Sequence, residues 1–122
     1  MNTPTKQQAY AITKKFVDAI DLRDTKALEH DFGVSSAVAE EIYESIDEYF
    51  EQGTKLSIAP EEHAFDVKGN QRPFIDAYET DDKALGLECV FFANGSPGEA
   101  ILHIEVSESD GGIKLYYKYI GS

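Results

Sequence analysis

A chain of 122 residues with 42% hydrophobic and 11% aromatic content reads as a single α+β domain over residues 1–122 with one core, which excludes a disordered or low-complexity polypeptide. Its net charge of −12 argues against nucleic acid and anionic membranes as targets, because both would repel it. Cys89 is the lone cysteine, so no intramolecular disulfide can form, and its apolar neighbours Leu87, Val90, Phe91 and Phe92 mark a buried, inert thiol.

The stretch Met1 to Gln8 is polar, and no apolar run has signal or spanning length. Cytoplasmic residence is therefore the default expectation.

Residues 4–23 read as the first helix, with Thr3 as its cap and Pro4 at the first helical position. Ala9, Ile12, Phe16, Ala19 and Ile20 recur at helical spacing, while Lys14, Lys15, Asp18 and Asp21 form the wet side. Asp24 caps a short second helix to about Glu29, with Ala27 and Leu28 inward. His30 sits at its end, where a cation suits the helix dipole, and Gly33 interrupts it.

Ser35 or Ser36 opens a third helix to about Gln52, with Val38, Ile42, Ile46, Tyr49 and Phe50 as its stripe and Gly53 as a left-handed stop. This helix carries Glu40, Glu41, Glu44, Asp47, Glu48 and Glu51 and no Lys or Arg. Glu40/Glu44 and Glu44/Glu48 are like charges one turn apart, each costing about a few tenths of a kcal/mol. Such a face is either solvated or a docking surface for a basic protein partner. In the second case Glu40, Glu44, Asp47, Glu48 and Glu51 would make the contacts.

After Gly53 the apolar period changes from helical to alternating. Lys55 to Ala59 is a short strand stopped by Pro60. Glu61 to Arg72 is ambiguous, with Phe65 and Val67 as a further short strand. Phe74 to Tyr78 follows Pro73, a residue tolerated at a strand's start. Leu85–Ala93, Glu99–Glu108 and Ile113–Ile120 form an antiparallel meander, turned by Asn94 to Gly98 and by Ser109 to Gly112.

Alternation separates the faces of these strands. Leu85, Leu87, Cys89, Phe91, Ala100, Leu102, Ile104, Val106, Ile113, Leu115, Tyr117 and Tyr119 point one way, toward the helices. Glu88, Val90, Phe92, Glu99, Ile101, His103, Glu105, Ser107, Lys114, Tyr116, Lys118 and Ile120 make the opposite, mixed face. A mixed face of this kind is a dimer contact candidate.

The segment Lys15 to Leu28, KFVDAIDLRDTKAL, resembles the opening of the nuclear transport factor 2-like superfamily, which includes SnoaL-like and ketosteroid-isomerase-like proteins. The resemblance implies three N-terminal helices packed on a curved antiparallel sheet, a cystatin-like cone with a pocket. The order of elements fits over most of the chain. One departure is the interval between the second and third helices. The family usually has strand material there, and here only Asp31 to Val34 intervene. None of the family's isomerase acids maps onto this sequence, and the fold alone implies no activity.

No nucleotide, nucleophile-elbow or zinc motif occurs, so no cofactor or metal is expected. His103, mid-sheet and flanked by Glu88, Lys114 or Tyr116, is either a surface ion pair or a general base. Glu61, Glu62, His63 and Asp66 are an exposed acidic loop or a loose ligand cluster. Asp76 is the best candidate for a buried acid, with Tyr78 and Glu79 near it. Tyr43, Tyr78, Tyr117 and Tyr119 are candidates to line a pocket, Tyr117 also as a hydroxyl donor. Three functions compete: a non-enzymatic interaction domain, dimeric through the mixed sheet face; an acidic, immunity-like inhibitor of a basic protein; and an isomerase or hydrolase built on a pocket acid such as Asp76.

Overall fold

A computed structural model describes residues 3–67, 69 and 71–122. Helix α1 spans Lys6–Asp21. Its cap is Thr5, not Thr3. The Thr5 hydroxyl accepts from the Gln8 amide at 3.1 Å, and the Gln8 side chain accepts from the Thr5 amide at 2.9 Å. This reciprocal pair satisfies two free N–H groups at once, which leaves Pro4 outside the helix. The buried stripe is wider than the sequence period implied: Tyr10, Thr13 and Val17 join Ala9, Phe16, Ala19 and Ile20. Thr13 satisfies its own hydroxyl by donating to the Ala9 carbonyl at 2.7 Å.

Helix α2, Thr25–Phe32, is capped by Asp24, whose carboxylate accepts from the Ala27 amide. It runs three residues past Glu29 because its stop is Gly33, at φ 65°, after which the Val34 amide donates back to the Leu28 carbonyl. Helix α3, Ser36–Tyr49, is capped by Ser35. It ends at Phe50, whose backbone is extended, so Gly53 lies in the following turn and is not the helix stop. Glu48 and Glu51 oppose the dipole here, consistent with an early end.

The sheet comprises β1 (Leu56–Ser57), β2 (Ile75–Glu79), β3 (Leu85–Ala93), β4 (Ser96–Ser109) and β5 (Gly112–Gly121). All pairings are antiparallel. β3, β4 and β5 form the meander, and the short β2 and β1 lie end to end along the other edge of β3. The ambiguous segment holds one helical turn, α4 (Glu61–Ala64), and Phe65 and Val67 form no strand. Phe65 instead packs edge-on against Tyr10, with the Lys6 ammonium over its ring. Two residues of this segment, Lys68 and Asn70, lie outside the described residues.

Both hairpin turns are shorter than the Gly- and Pro-rich runs implied. Asn94 and Gly95 alone join Ala93 to Ser96, and Asp110 and Gly111 alone join Ser109 to Gly112, all four at positive φ. Two-residue turns with positive φ match the right-handed twist of the strands. Ser96 to Gly98 therefore belong to β4.

Two irregularities curl the sheet. Val90 faces Ile101 while Phe92 faces Pro97, and His103 faces Tyr119 while Ile104 faces Tyr117. The second inserts Lys118 as an extra residue in β5 and reverses its alternation. Tyr119 consequently leaves the helix side, and Ile120 joins it opposite Leu102, the reverse of the strict alternation.

The outcome is an α+β fold in which three N-terminal helices pack on a strongly curled antiparallel sheet, a cone-like arrangement. Phe16, Ile20, Leu28, Ile42, Ile75, Leu87, Phe91, Leu102, Ile104 and Val106 fill the space between helices and sheet. Asp21 ties α1 to β1, accepting from the Leu56 amide at 2.8 Å and the Lys55 ammonium at 2.6 Å. That hydrogen bond raises the Lys55 pKa.

Candidate interaction face

The helices cover one side of the sheet and leave the other open. On the open side the register lines up Asp76 of β2, Glu88 of β3, His103 of β4 and Tyr119 of β5 as direct neighbours. Arg72, just before β2, reaches over this row. Its guanidinium lies 3.0 Å from Glu88 Oε1 and 3.3 Å from Asp76 Oδ2. The bond to Glu88 is the main reason that the Arg72 pKa rises further. His103 Nδ1 stands 4.0 Å from the same Glu88 oxygen. On its other side the imidazole stacks on the Tyr119 ring, centroids 4.1 Å apart and planes 11° from parallel. Glu88 is thus the flanking partner of His103, whereas Lys114 and Tyr116 pair with Ser107 and Glu105.

A second row runs Tyr78, Gly86, Glu105, Tyr116. The Tyr78 ring lies across Gly86, where an added Cβ would come within 2.3 Å of it, so the ring takes the place of a side chain. Lys118 approaches Glu105 at 3.9 Å. Beyond the first row lies an open depression of about 290 Å³ lined by Arg72, Phe74, Val90, Pro97 and Ile101.

Two properties set this face apart. Tyr78, Tyr116 and Tyr119 are 47%, 51% and 54% exposed, and the other exposed large apolar side chains among the described residues are only Leu22 and Val67. Across the same face Arg72, Lys114 and Lys118 stand against Asp76, Glu88, Glu99 and Glu105, so it carries both signs and little net charge in a chain of net charge −12.

The remaining sequence candidates are dispersed. Tyr43 bonds Thr25 at 2.9 Å at the α2–α3 junction, with the Arg23 guanidinium over its ring. Tyr117 is on the helix side, 6.2 Å from Phe16, and burial raises its pKa. Tyr78 and Tyr119 are on the opposite side, so the structure does not bring the four tyrosines into one cavity. Asp76 is on the open face, tied to Arg72. The acids Glu40, Glu41, Glu44, Asp47, Glu48 and Glu51 are all exposed. Asp47 pairs with Arg23, and the other five form no ion pair among the described residues. His63 Nδ1 lies 3.5 Å from Asp66, and no group of three or more metal-ligating side chains assembles among the described residues. Cys89 is buried beside Leu102, and burial pushes its thiol up to about 12.

Sequence reasoning missed Arg72. It falls in an irregular segment, and the available signal was its spacing, four residues before Asp76 and next to Pro73. Among the described residues no helix is long and apolar enough to cross a membrane. No protein-family model, curated protein or solved structure matches this chain.

Proposed function

We propose that the protein is a non-catalytic interaction module of nuclear transport factor 2-like type, two copies of which meet through the open sheet face. The observation that carries this reading is the cluster of half-exposed Tyr78, Tyr116 and Tyr119 around a row that mixes both signs of charge. Tyrosine and arginine are enriched at the centres of protein interfaces, where an amphipathic ring buries area at low entropic cost. A second copy is the occupant that the electrostatics favour. Two chains of −12 repel over most of their surfaces, and a near-neutral face bearing both signs is where they can approach.

Pairing through the β5 edge is less favourable. Lys114, Lys118 and the bulge at Lys118 are devices that discourage edge-to-edge addition. The family assignment is supported by the order of elements, three helices and then a curled meander with two short strands along β3. A cytoplasmic setting accords with a lone cysteine that has no disulfide partner.

Sedimentation equilibrium from micromolar to near-millimolar concentration tests the reading. The wild type is expected to be dimeric. Replacing Tyr116 and Tyr119 together by Ala should raise the dissociation constant at least about thirtyfold, the equivalent of about 2 kcal/mol for a truncated interface anchor. Far-ultraviolet circular dichroism should not change. A strict monomer at the highest concentration overturns the proposal.

A further inference from the structure

The row at the centre of the open face is short of one positive charge. Arg72 supplies one cation to two carboxylates, Asp76 and Glu88, and bonds both. His103 is the fourth member, 4.0 Å from the Glu88 oxygen that Arg72 already holds. A neutral imidazole leaves the row at −1, and a protonated one brings it to zero. The neighbouring Glu105 and Lys118, 3.9 Å apart, balance each other and do not alter that count. Tyr119, the group packed against the imidazole from β5, presents its ring face at 4.1 Å, a surface that attracts a cation. Among the described residues, the groups facing His103 from β2, β3, β5 and the segment before β2 are two acids, one cation already committed to them, and one aromatic face.

In the free chain, water screens the uncompensated carboxylate. Covering the row removes that water, and burying an unbalanced charge is costly unless it is neutralised. We infer that His103 takes up a proton when two copies meet, so that acid tightens the association. This rests on the homodimer reading of the same face.

The test is the dissociation constant of the full chain by sedimentation at about pH 8, 7 and 6, a window centred near the ordinary histidine pKa. Because each dimer holds two such imidazoles, affinity should increase roughly fortyfold across this range if association raises both pKa values by one unit. His30 and His63 are the other two histidines of the chain, and both lie away from this row. The double variant His30→Gln/His63→Gln should therefore keep most of the slope, whereas His103→Gln should dimerise with a nearly flat profile. Glu88→Gln removes the charge that needs balancing and should flatten the profile independently. A dimer whose affinity is the same throughout, or an unchanged slope in His103→Gln, overturns the proton uptake and leaves the interface standing. A monomer at every pH overturns both.

Discussion

Strand β4 carries two different molecules on its two sides. Ala100, Leu102, Ile104 and Val106 face the helices and are at most 1% exposed. Their immediate neighbours Ile101, His103, Glu105 and Ser107 face away and are only half-buried. The inner set is uniform in chemistry and defines the register, because a slip of one residue would drive His103 and Glu105 into the core. The outer set mixes an apolar residue, a titratable ring and a carboxylate. Stability is thus concentrated on one side, and the other side is free to specialise in recognition.

The largest expected effect tests that division directly. Leu102→Ala leaves a cavity between the helices and the sheet and should lower the unfolding free energy by about 2–5 kcal/mol, measured by urea denaturation. Tyr119→Ala, two positions away in space but on the other side, should cost less than about 1 kcal/mol in the same assay under monomeric conditions. Equal losses from the two would abolish the contrast, since they would make the outer face part of the folding core.

The two sides also differ in how much of them was legible beforehand. Ala100 to Val106 was readable because alternation over a long strand has one consistent solution, and the stripes of α1 and α3 followed in the same way from helical spacing. The outer face was only partly readable. Strict alternation puts Tyr119 on the wrong side because the extra residue at Lys118 leaves no mark in the pattern of residue types. Gly98 has the look of turn chemistry in the sequence, whereas it is small because the Phe50 ring packs onto it, at 2.9 Å from where a Cβ would stand. Arg72 was invisible for a different reason. Its partners Asp76 and Glu88 come from separate strands, and only the paired register of β2 and β3 brings them under one guanidinium. Periodicity reports which side a residue is on; it does not report who its neighbours across the strands are.

A smaller effect sharpens the comparison at a single step of β3. Glu88 is on the outer side, and Cys89, the next residue, is buried on the inner side with its thiol pushed up to about 12 from an ordinary 9.0. Below pH 9 the thiol is protonated whether the chain is folded or not, and it contributes no pH dependence. Between 9 and 12 only the unfolded chain loses the proton, so stability is lost as pH rises, by up to about 1.4 kcal/mol per pH unit. Tyr10 and Tyr117 are also raised above 10.0 by burial and add a loss of the same sign at higher pH. The interval just above pH 9 therefore isolates the thiol. Chemical denaturation there should show a steeper decline for the wild type than for Cys89→Ala, which starts lower but falls less. Identical slopes would mean that the inner face admits water at Cys89.

The smallest expected effect concerns a third surface, the acidic side of α3, which resembles neither face of the sheet. It is exposed like the outer face, but it carries one sign of charge and no aromatic cluster. Glu44 lies one turn from both Glu40 and Glu48, and Glu48 sits in the last turn, where it opposes the helix dipole. Glu44→Gln with Glu48→Gln should therefore stabilise the fold, by about 0.5–1 kcal/mol at low ionic strength from the relieved pairs and the dipole term together. The gain should shrink in high salt, because all three interactions are solvent-screened. Thermal unfolding at two salt concentrations reads both outcomes. The same variant should dimerise at least as well as the wild type does, since the substituted residues lie on a helix and not on the open sheet face and their loss only eases the repulsion between two acidic chains. A loss of stability instead would show that these carboxylates hold a favourable interaction, and the acidic face would then count as part of the fold's own support.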